Sequence, residues 1–205
     1  MRPGSPPAAE GAGTLPSTRS RKILIVTGDS GESYEALYAY HRFLEANFEA
    51  VVAAPSKRRL HLVMHDFEPG WDTYVERPGY GLESHLTFAD VKVADYEAVL
   101  ILGGRAPEYL RHDPRVLEIV REFDAAGKCI FSICHGIQVL IAAGLVKNRS
   151  VTCYVNVRYE VEQAGGRFQT QPAVRDGRIV TGQTWESHPE FYREVFKCLA
   201  ENHPE

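Results

Sequence analysis

Short apolar runs alternate along this chain with stretches whose apolar residues recur at helical spacing. The first run, at 22–27, is closed by Gly28 and is typical of a buried parallel strand that enters a loop. Apolar and aromatic residues at 34–47 predict a helix, and the run at 49–54 predicts a second strand. The first part of the chain is therefore predicted to form one strand–helix–strand unit.

The same alternation recurs in the second half of the chain. Apolar runs predict strands at 99–102 and 129–133. Helices are predicted at 114–123, where Asp113 supplies the N-cap, and at 137–143. Because each predicted strand is followed by a predicted helix, this half of the chain continues the parallel arrangement.

Weaker patterns fill the rest of the chain. They predict strands at 151–154 and 178–181 and a closing helix at 189–199. The segment 63–85, with its many glycines, prolines and acidic residues, has no clear period. It is interpreted as an irregular insertion or a hairpin, and its place in the fold stays open.

Strands separated by helices of this size predict an α/β fold. The expected architecture is a flavodoxin-like three-layer sandwich, a mostly parallel sheet with helices on both faces. Ligands of such sheets bind beyond the carboxyl ends of the strands. We therefore expect the loops after Thr27, Leu102 and Ile133 to converge on one site.

Residues 1–20 differ from the rest of the chain in composition. They are rich in Pro, Gly, Ser and Ala and contain no continuous apolar stretch. Such a composition predicts a disordered N-terminal tail and does not resemble a secretory signal. The remaining 185 residues, 21–205, are predicted to form one domain.

Charge and cysteine content narrow the function. The 205 residues carry a formal net charge of -4, which argues against a broad basic surface for nucleic acid or an anionic membrane. Apolar runs are far shorter than the ~20 residues of a membrane-spanning helix. Four cysteines without Cys-x-x-Cys spacing favour reduced thiols and a cytoplasmic location. A small-molecule or peptide substrate is expected.

No cofactor or metal is predicted. A short cluster of histidines and acidic residues lies at 61–68 and contains potential metal ligands: His61, His65, Asp66 and Glu68. Clusters of this kind in loops are usually solvated. We therefore expect neither a metal site nor a bound cofactor.

Cys134 is the strongest candidate for chemistry. It lies between a predicted strand and a predicted helix, where unpaired backbone N–H groups stabilise a thiolate and lower the pKa of the thiol. His135 can serve as a base, and the N–H groups of His135 and Gly104 can form an oxyanion hole. A small buried cysteine that merely ends a strand is the alternative. The residues alone leave both interpretations open, whereas Cys129, Cys153 and Cys198 are interpreted as core thiols.

Three motifs resemble those of a known family. The segments 103–110, 132–136 and 142–146 look like signatures of the ThiJ/PfpI family, which belongs to the class I glutamine-amidotransferase-like superfamily together with the parkinsonism-associated protein deglycase. The stretch 65–79 is similar to plant members described as glutathione-independent glyoxalases, and 38–42 resembles archaeal intracellular peptidases. The resemblance covers the chain from about residue 22 onward.

The resemblance implies roles for individual residues. Cys134 is then the nucleophile with His135 beside it, and Gly104 and His135 form the oxyanion hole. Glu108 matches a carboxylate that contacts this histidine from a neighbouring subunit. Glu35 best fits a glutamate that hydrogen-bonds the cysteine sulfur. From the residues alone, the preferred interpretation of both glutamates is that of solvated carboxylates at helix starts.

Three further residues are expected in the substrate pocket. Glu32 is the less favoured choice for the glutamate that contacts the cysteine. Tyr154 matches a position that lines the family's pocket. His188 is similarly placed in the plant members, although it can equally well cap the last helix.

The resemblance also implies an activity. The leading hypothesis is a cofactor-free cysteine enzyme that converts a 2-oxoaldehyde such as methylglyoxal to the 2-hydroxy acid, and that self-associates so that Glu108 reaches the neighbouring site. An intracellular cysteine peptidase or amidase is the first alternative. A redox sensor or chaperone that oxidises Cys134 to a sulfinic acid is the second.

Overall fold

The structure of the chain is a computed structural model that describes residues 21–202. The N-terminal tail predicted at 1–20 lies outside the described residues. Within 21–202 the strands are β1 Lys22–Val26, β2 Glu49–Ala54, β3 Arg59–Asp66, β4 Val75–Glu83, β5 Leu86–Thr87, β6 Ala98–Ile101, β7 Cys129–Ile133, β8 Ser150–Val151, β9 Arg167–Phe168, β10 Ala173–Asp176 and β11 Ile179–Gly182. The α-helices of the same range are α1 Ser33–Glu45, α2 Ala106–Leu110, α3 Pro114–Ala125, α4 Ile137–Ala142, α5 Arg158–Gln163 and α6 His188–Asn202.

The largest sheet of the described residues has seven strands in the order β10-β11-β7-β6-β1-β2-β5. Its neighbouring strands are parallel except for β10, which runs antiparallel to β11. The three central strands β7, β6 and β1 are completely or almost completely buried, apart from Lys22 at the start of β1. The predicted mostly parallel α/β sheet with flanking helices is confirmed.

Two groups of helices cover the sheet. Aromatic rings of α1 and α6 interlock, with Phe43 5.9 Å from Tyr192 and 6.0 Å from Phe196 between ring centroids. Helices α3 and α4 pack on each other and on β7. Because β6 and β7 are covered in this way, their apolar runs are continuous instead of alternating, as buried parallel strands require.

Local signals in the sequence set the ends of the helices correctly. Asp113 caps α3, since its side chain accepts a hydrogen bond from the N–H of Arg115 at 2.8 Å, and Pro114 occupies the first turn. Gly127, with a φ of +65°, follows the end of the helix. Predicted and observed bounds of α3 agree to within two residues.

The segment predicted as an insertion or hairpin is a hairpin. Strands β3 and β4 pair antiparallel, with a bulge between His61 and Val63. The hairpin is attached to the loop after β1, because the N–H of Val63 donates to the carbonyl of Gly31 at 2.9 Å and the N–H of Ser30 donates to that of His61 at 2.8 Å. This attachment places the hairpin beside the carboxyl ends of the central strands.

Two parts of the second half differ from the prediction. The strand predicted at 151–154 is limited to Ser150–Val151, which pairs with β9 outside the main sheet. It ends early because the chain turns toward the end of β7, where the N–H of Tyr154 approaches the carbonyl of Cys134 at 3.5 Å. Helices α2 and α5 and strand β10 were not predicted, since each is too short to show a period. Within the described residues no helix is both long and apolar enough to cross a membrane.

Candidate active site

The loops after β1, β6 and β7 meet, as the sheet order requires. Gly31 and Gly104 form an isolated bridge between the first two loops. The N–H of Glu32 donates to the carbonyl of Gly103 at 3.3 Å, and the N–H of Arg105 donates to that of Ser30 at 2.7 Å. These bonds hold the glycine pair and the start of α1 as one unit around the end of β7.

Cys134 lies at the centre of this unit on a strained turn. Its φ is +58°, a left-handed conformation that a non-glycine residue adopts only when its surroundings impose it. The residue opens a 3₁₀ turn at Cys134–Gly136 that leads into α4. The backbone N–H groups of His135 and Gly104 hydrogen-bond the sulfur. A sharp strand-to-helix turn of this kind presents the sulfur to the site. The N–H groups of His135 and Gly104 then line a space that can bind an anion.

The sequence predicted a lowered pKa for this thiol, and the structure corrects that prediction. Burial raises the pKa of Cys134 well above its ordinary value, and the neighbouring carboxylate of Glu35 raises it further. The two N–H groups lower the pKa but do not outweigh burial. The thiol is only 6% exposed, which the sequence did not reveal.

Glu35 is the glutamate that meets Cys134. It is completely buried, its Oε2 accepts a hydrogen bond from the N–H of Gly103 at 2.7 Å, and its carboxyl interacts with the Cys134 thiol. Burial and the charge of Glu32 raise the pKa of Glu35 well above its ordinary value. A β-carbon at Gly103 would lie 2.6 Å from Cys134 Cβ and 2.7 Å from Glu35 Oε2, so only glycine fits between them. The interpretation of Glu35 as a solvated carboxylate is wrong.

Burial raises the pKa of Cys134 and that of Glu35, so it favours the protonated form of each group. The N–H of Gly103 bonds the Glu35 carboxyl, and the N–H groups of His135 and Gly104 lower the pKa of the Cys134 thiol. Donors are therefore present for a negative charge on either group once one of the two protons has left.

Glu32 has a structural part in the same cluster. It is the N-cap of α1, and its Oε2 accepts a hydrogen bond from the N–H of Glu35 at 2.6 Å. Burial raises the pKa of Glu32 to about 7. Its cap fixes the first turn of α1, which carries Glu35.

His135 lies beside the sulfur as a neutral imidazole. Its Nδ1 is 3.4 Å from Cys134 Sγ. Burial, with a smaller effect from His65, lowers the pKa of His135 to about 4. The imidazole is therefore neutral at pH 7, and it has one unprotonated ring nitrogen that can take a proton from a bound substrate during a reaction.

The remaining predicted residues are divided. Tyr154 is buried against the site, with its ring centroid 5.0 Å from that of His135. His188 begins α6 and stacks on Tyr38 at 4.4 Å. Neither of its ring nitrogens has a hydrogen-bond partner among the described residues, so the side chain does not cap the helix, and its placement in the substrate pocket stays a prediction. Glu108 is exposed on α2. Its described electrostatic partners in its own chain are residues at the rim of the site: His65, Tyr74 and Arg105.

The hairpin contributes side chains that the sequence analysis did not assign to the site. The ring of Tyr74 stacks on that of His65 at 3.9 Å and meets the edge of the His135 ring at 5.9 Å. His65 Nε2 is 2.8 Å from Glu76 Oε2, and Arg105 binds both oxygens of that carboxylate, at 2.7 and 2.8 Å. In the sequence, the similarity of 65–79 to plant members was the signal by which this segment could have been assigned to the site.

Two of the potential metal ligands, and the remaining cysteines, have structural roles. Asp66 and Glu68 form ion pairs with Arg77 of β4. Cys129, Cys153 and Cys198 are free and buried, which confirms their interpretation as core thiols. Cys129 Sγ lies 3.2 Å from Cys198 Sγ, between β7 and α6.

Comparison with known proteins gives concordant matches. The model of the DJ-1/PfpI family matches residues 21–198. Protein DJ-1 homolog D of Arabidopsis thaliana is 38% identical over 187 residues, which cover 88% of this chain and 48% of that protein. This chain thus spans about half the length of the plant relative. Deglycase PfpI of Pyrococcus furiosus is 33% identical over 178 residues, which cover 87% of this chain and 99% of that protein.

A solved structure shares the fold. The two-domain protein from Anabaena variabilis that contains DJ-1/ThiJ/PfpI-like and ferritin-like domains superimposes with a TM-score of 0.79 at 22% identity. The match covers 88% of this chain and 48% of that chain. At this identity the likeness concerns the fold alone.

Proposed function

Because the chain belongs to the DJ-1/PfpI family, we propose that it is a cysteine-dependent enzyme that converts a 2-oxoaldehyde such as methylglyoxal to the 2-hydroxy acid. One observation carries the proposal: the Cys134 sulfur, the Glu35 carboxyl, a neutral imidazole and two N–H donors lie in one buried cluster. Nucleophile, base and oxyanion site are the three parts that addition to a carbonyl requires.

The first step is addition. The thiol proton moves to Glu35, and the sulfur bonds to the aldehyde carbon while the carbonyl electrons move to oxygen. The N–H groups of His135 and Gly104 stabilise this oxyanion, which then takes the proton back from Glu35. The product is a hemithioacetal on Cys134, and no proton has been exchanged with solvent.

Isomerisation and hydrolysis follow. His135 removes the hydrogen of the former aldehyde carbon as a proton, which leaves an enediolate with its charge on the former ketone oxygen. His135 then returns that proton to the former ketone carbon. The hydroxyl proton on the former aldehyde carbon moves to the former ketone oxygen, and the carbonyl of a thioester forms. Water then attacks the thioester carbon, the carbon–sulfur bond breaks, and the acid leaves. The sum is aldehyde plus water to hydroxy acid, with no oxidant or reductant.

The small opening favours a small substrate. Cys134 is 6% exposed, and the rings of Tyr154 and Tyr74 pack beside the adjacent His135, at 5.0 and 5.9 Å between centroids. A two- or three-carbon aldehyde reaches such a sulfur more readily than an extended peptide. This geometry ranks the aldehyde above the peptidase or amidase alternative.

Release of an amine from its 2-oxoaldehyde adduct is a second candidate. A relative that is 33% identical carries the name deglycase. The carbon of this adduct is saturated, so the Cys134 sulfur bonds to it as the carbon–nitrogen bond breaks, and the thiol proton leaves with the amine. The product is the same hemithioacetal, which then isomerises as above. The two candidates differ in whether the free aldehyde or the adduct enters the site.

We further propose that the active form is an oligomer in which Glu108 of one subunit contacts His135 of its neighbour. The family motif places a carboxylate there, and Glu108 is exposed at the rim of its own site. A negative charge near His135 would stabilise the imidazolium formed during proton transfer.

The test measures lactate formed from methylglyoxal without glutathione, by wild type and by Cys134→Ala. We expect wild type to form lactate and Cys134→Ala to lose at least ~10³-fold of the rate, the usual loss when a nucleophile is removed. Cys153→Ala, at another buried thiol, is the matched control and is expected to keep the activity.

Two further arms separate the alternatives. A methylglyoxal–acetyl-lysine adduct is followed with a scavenger of free methylglyoxal present, and a fluorogenic peptide panel is run beside it. Decay of the adduct faster than its spontaneous breakdown favours the second candidate. Lactate formation that is absent from wild type, or equal in Cys134→Ala, contradicts the proposed function.

A further inference from the structure

Tyr74 packs against the aromatic rings beside Cys134. It lies in the loop just before β4 and is half-buried. Its ring centroid is 5.9 Å from that of His135 and 5.8 Å from that of Tyr154, both in edge-to-face geometry. His135 follows Cys134 directly, and its Nδ1 lies 3.4 Å from the Cys134 sulfur, so Tyr74 lies against the residue next to the thiol.

The position of this ring is fixed from behind. His65, buried on β3, stacks on Tyr74 at 3.9 Å with an interplanar angle of 22°. Glu76 contacts Nε2 of the His65 ring, and the backbone carbonyl of His65 accepts a hydrogen bond from Trp185 Nε1 at 2.9 Å. The ring of Tyr74 is therefore supported on a side chain that cannot easily turn.

An ion pair between Arg105 and Glu76, called the clasp below, joins the residues behind Tyr74 to the loop that carries Gly104. Arg105, which follows Gly104 directly, binds Glu76 in a bidentate pair and also donates from Nη2 to Ser30 Oγ at 3.1 Å. The pair lowers the pKa of Glu76 to about 2, so the clasp keeps its charge at all physiological pH values. These bonds fix the β3–β4 hairpin, and with it Tyr74, relative to the loops after β1 and β6.

We propose that Tyr74 is the specificity-determining residue of this site, the wall that limits it to 2-oxoaldehydes with a small substituent on the ketone carbon. The inference rests on the proposed function for the identity of the substrate. The limit on access to Cys134 rests on geometry alone. Tyr154 remains as the opposite wall, so that removal of Tyr74 opens one side of the pocket and leaves the thiol and His135 in place.

The first measurement concerns access and does not require activity. Wild type, Tyr74→Ala and Tyr74→Phe are alkylated with iodoacetamide and with its N-phenyl derivative iodoacetanilide, and labelling of the Cys134 peptide is followed by mass spectrometry. We expect the anilide-to-amide rate ratio to rise about tenfold in Tyr74→Ala and to stay at the wild-type value in Tyr74→Phe, in line with the modest discrimination of apolar walls. Tyr159→Ala, at a tyrosine that is 69% exposed, is the matched control.

The second measurement uses turnover. The ratio of kcat/KM for phenylglyoxal to that for methylglyoxal is expected to rise about tenfold in Tyr74→Ala, mainly because the value for phenylglyoxal increases. Both ratios unchanged in Tyr74→Ala, with a melting curve that shows a folded protein, would overturn the inference. Absence of turnover in wild type defeats the proposed function instead, and the alkylation ratio then still decides whether Tyr74 controls access.

Discussion

At the scale of single residues, the proposed mechanism requires Cys134 and Glu35 to hold one proton between them. Each group has a raised pKa, and each finds backbone N–H donors for its charge. Moving the proton from sulfur to carboxylate changes neither the net charge nor the number of bound protons. The fraction of thiolate should therefore be independent of pH across the neutral range.

Substitution of Glu35 by Gln tests this directly. In Glu35→Gln the thiol must release its proton to solvent, so its alkylation rate by iodoacetamide should rise about tenfold per pH unit below the pKa of the thiol. The wild-type rate should stay flat between pH 6 and 8. Glu45→Gln, at the exposed end of the same helix, should behave as wild type. Parallel pH profiles for wild type and Glu35→Gln would rule out a shared proton.

At the scale of elements, the packing of α1 on α6 explains the lowered pKa of His188. The imidazole is buried between aromatic rings, including those of Tyr34 at 5.1 Å and Tyr38 at 4.4 Å. Neither ring nitrogen has a hydrogen-bond partner among the described residues. Burial lowers the pKa of His188 to about 4, so the folded protein keeps it neutral.

This packing predicts a loss of stability in acid. Between about pH 6.5 and 4 the unfolded chain binds a proton at His188 that the folded chain does not, so the free energy of unfolding falls as pH falls, by roughly 3 kcal/mol in total. In His188→Phe this contribution should vanish, because phenylalanine keeps the stacking and does not titrate. Urea denaturation at pH 7 and pH 4.5 measures the difference.

The control for this prediction is the same substitution at an exposed histidine. His112→Phe should retain the acid-induced loss of wild type, since His112 lies on the surface. An acid-induced loss in His188→Phe as large as that of wild type would show that other groups, such as buried His135, account for it.

At the scale of the whole molecule, the proposed site is shared between chains. If Glu108 acts across an interface, a Cys134→Ala subunit still offers an intact Glu108, and a Glu108→Gln subunit still offers an intact thiol. We expect both variants to be impaired alone and a co-refolded mixture to form lactate faster than either. Subunit mixing is verified by mass spectrometry of the native assembly.

The mixture also separates the possible roles of Glu108. A mixture that is no faster than the average of its two components indicates that Glu108 acts within its own chain, where its partners are Tyr74, His65 and Arg105. Full activity of Glu108→Gln alone would show that its carboxylate has no part in proton transfer.

The order of the elements, and with it the meeting of three loops around Cys134, was determined by the sequence alone. Buried parallel strands require continuous apolar runs, and glycines and Asp113 mark where the helices begin and end, so these signals are local. The cysteine after the third run and the glycine pair after the second were visible for the same reason. The interpretation of Cys129, Cys153 and Cys198 as core thiols also followed from the pattern.

Tertiary structure decided what surrounds the thiol and therefore how it ionises. Burial of Cys134 and Glu35 reversed the predicted direction of the thiol pKa, because the cost of removing a charge from water depends on all neighbours in space and leaves no mark in a local motif. The hairpin reached the site through backbone hydrogen bonds between distant segments, which brought the ring of Tyr74 against that of His135. His188, from a motif near the end of the chain, was drawn into the aromatic packing between α1 and α6 because that contact buries its ring.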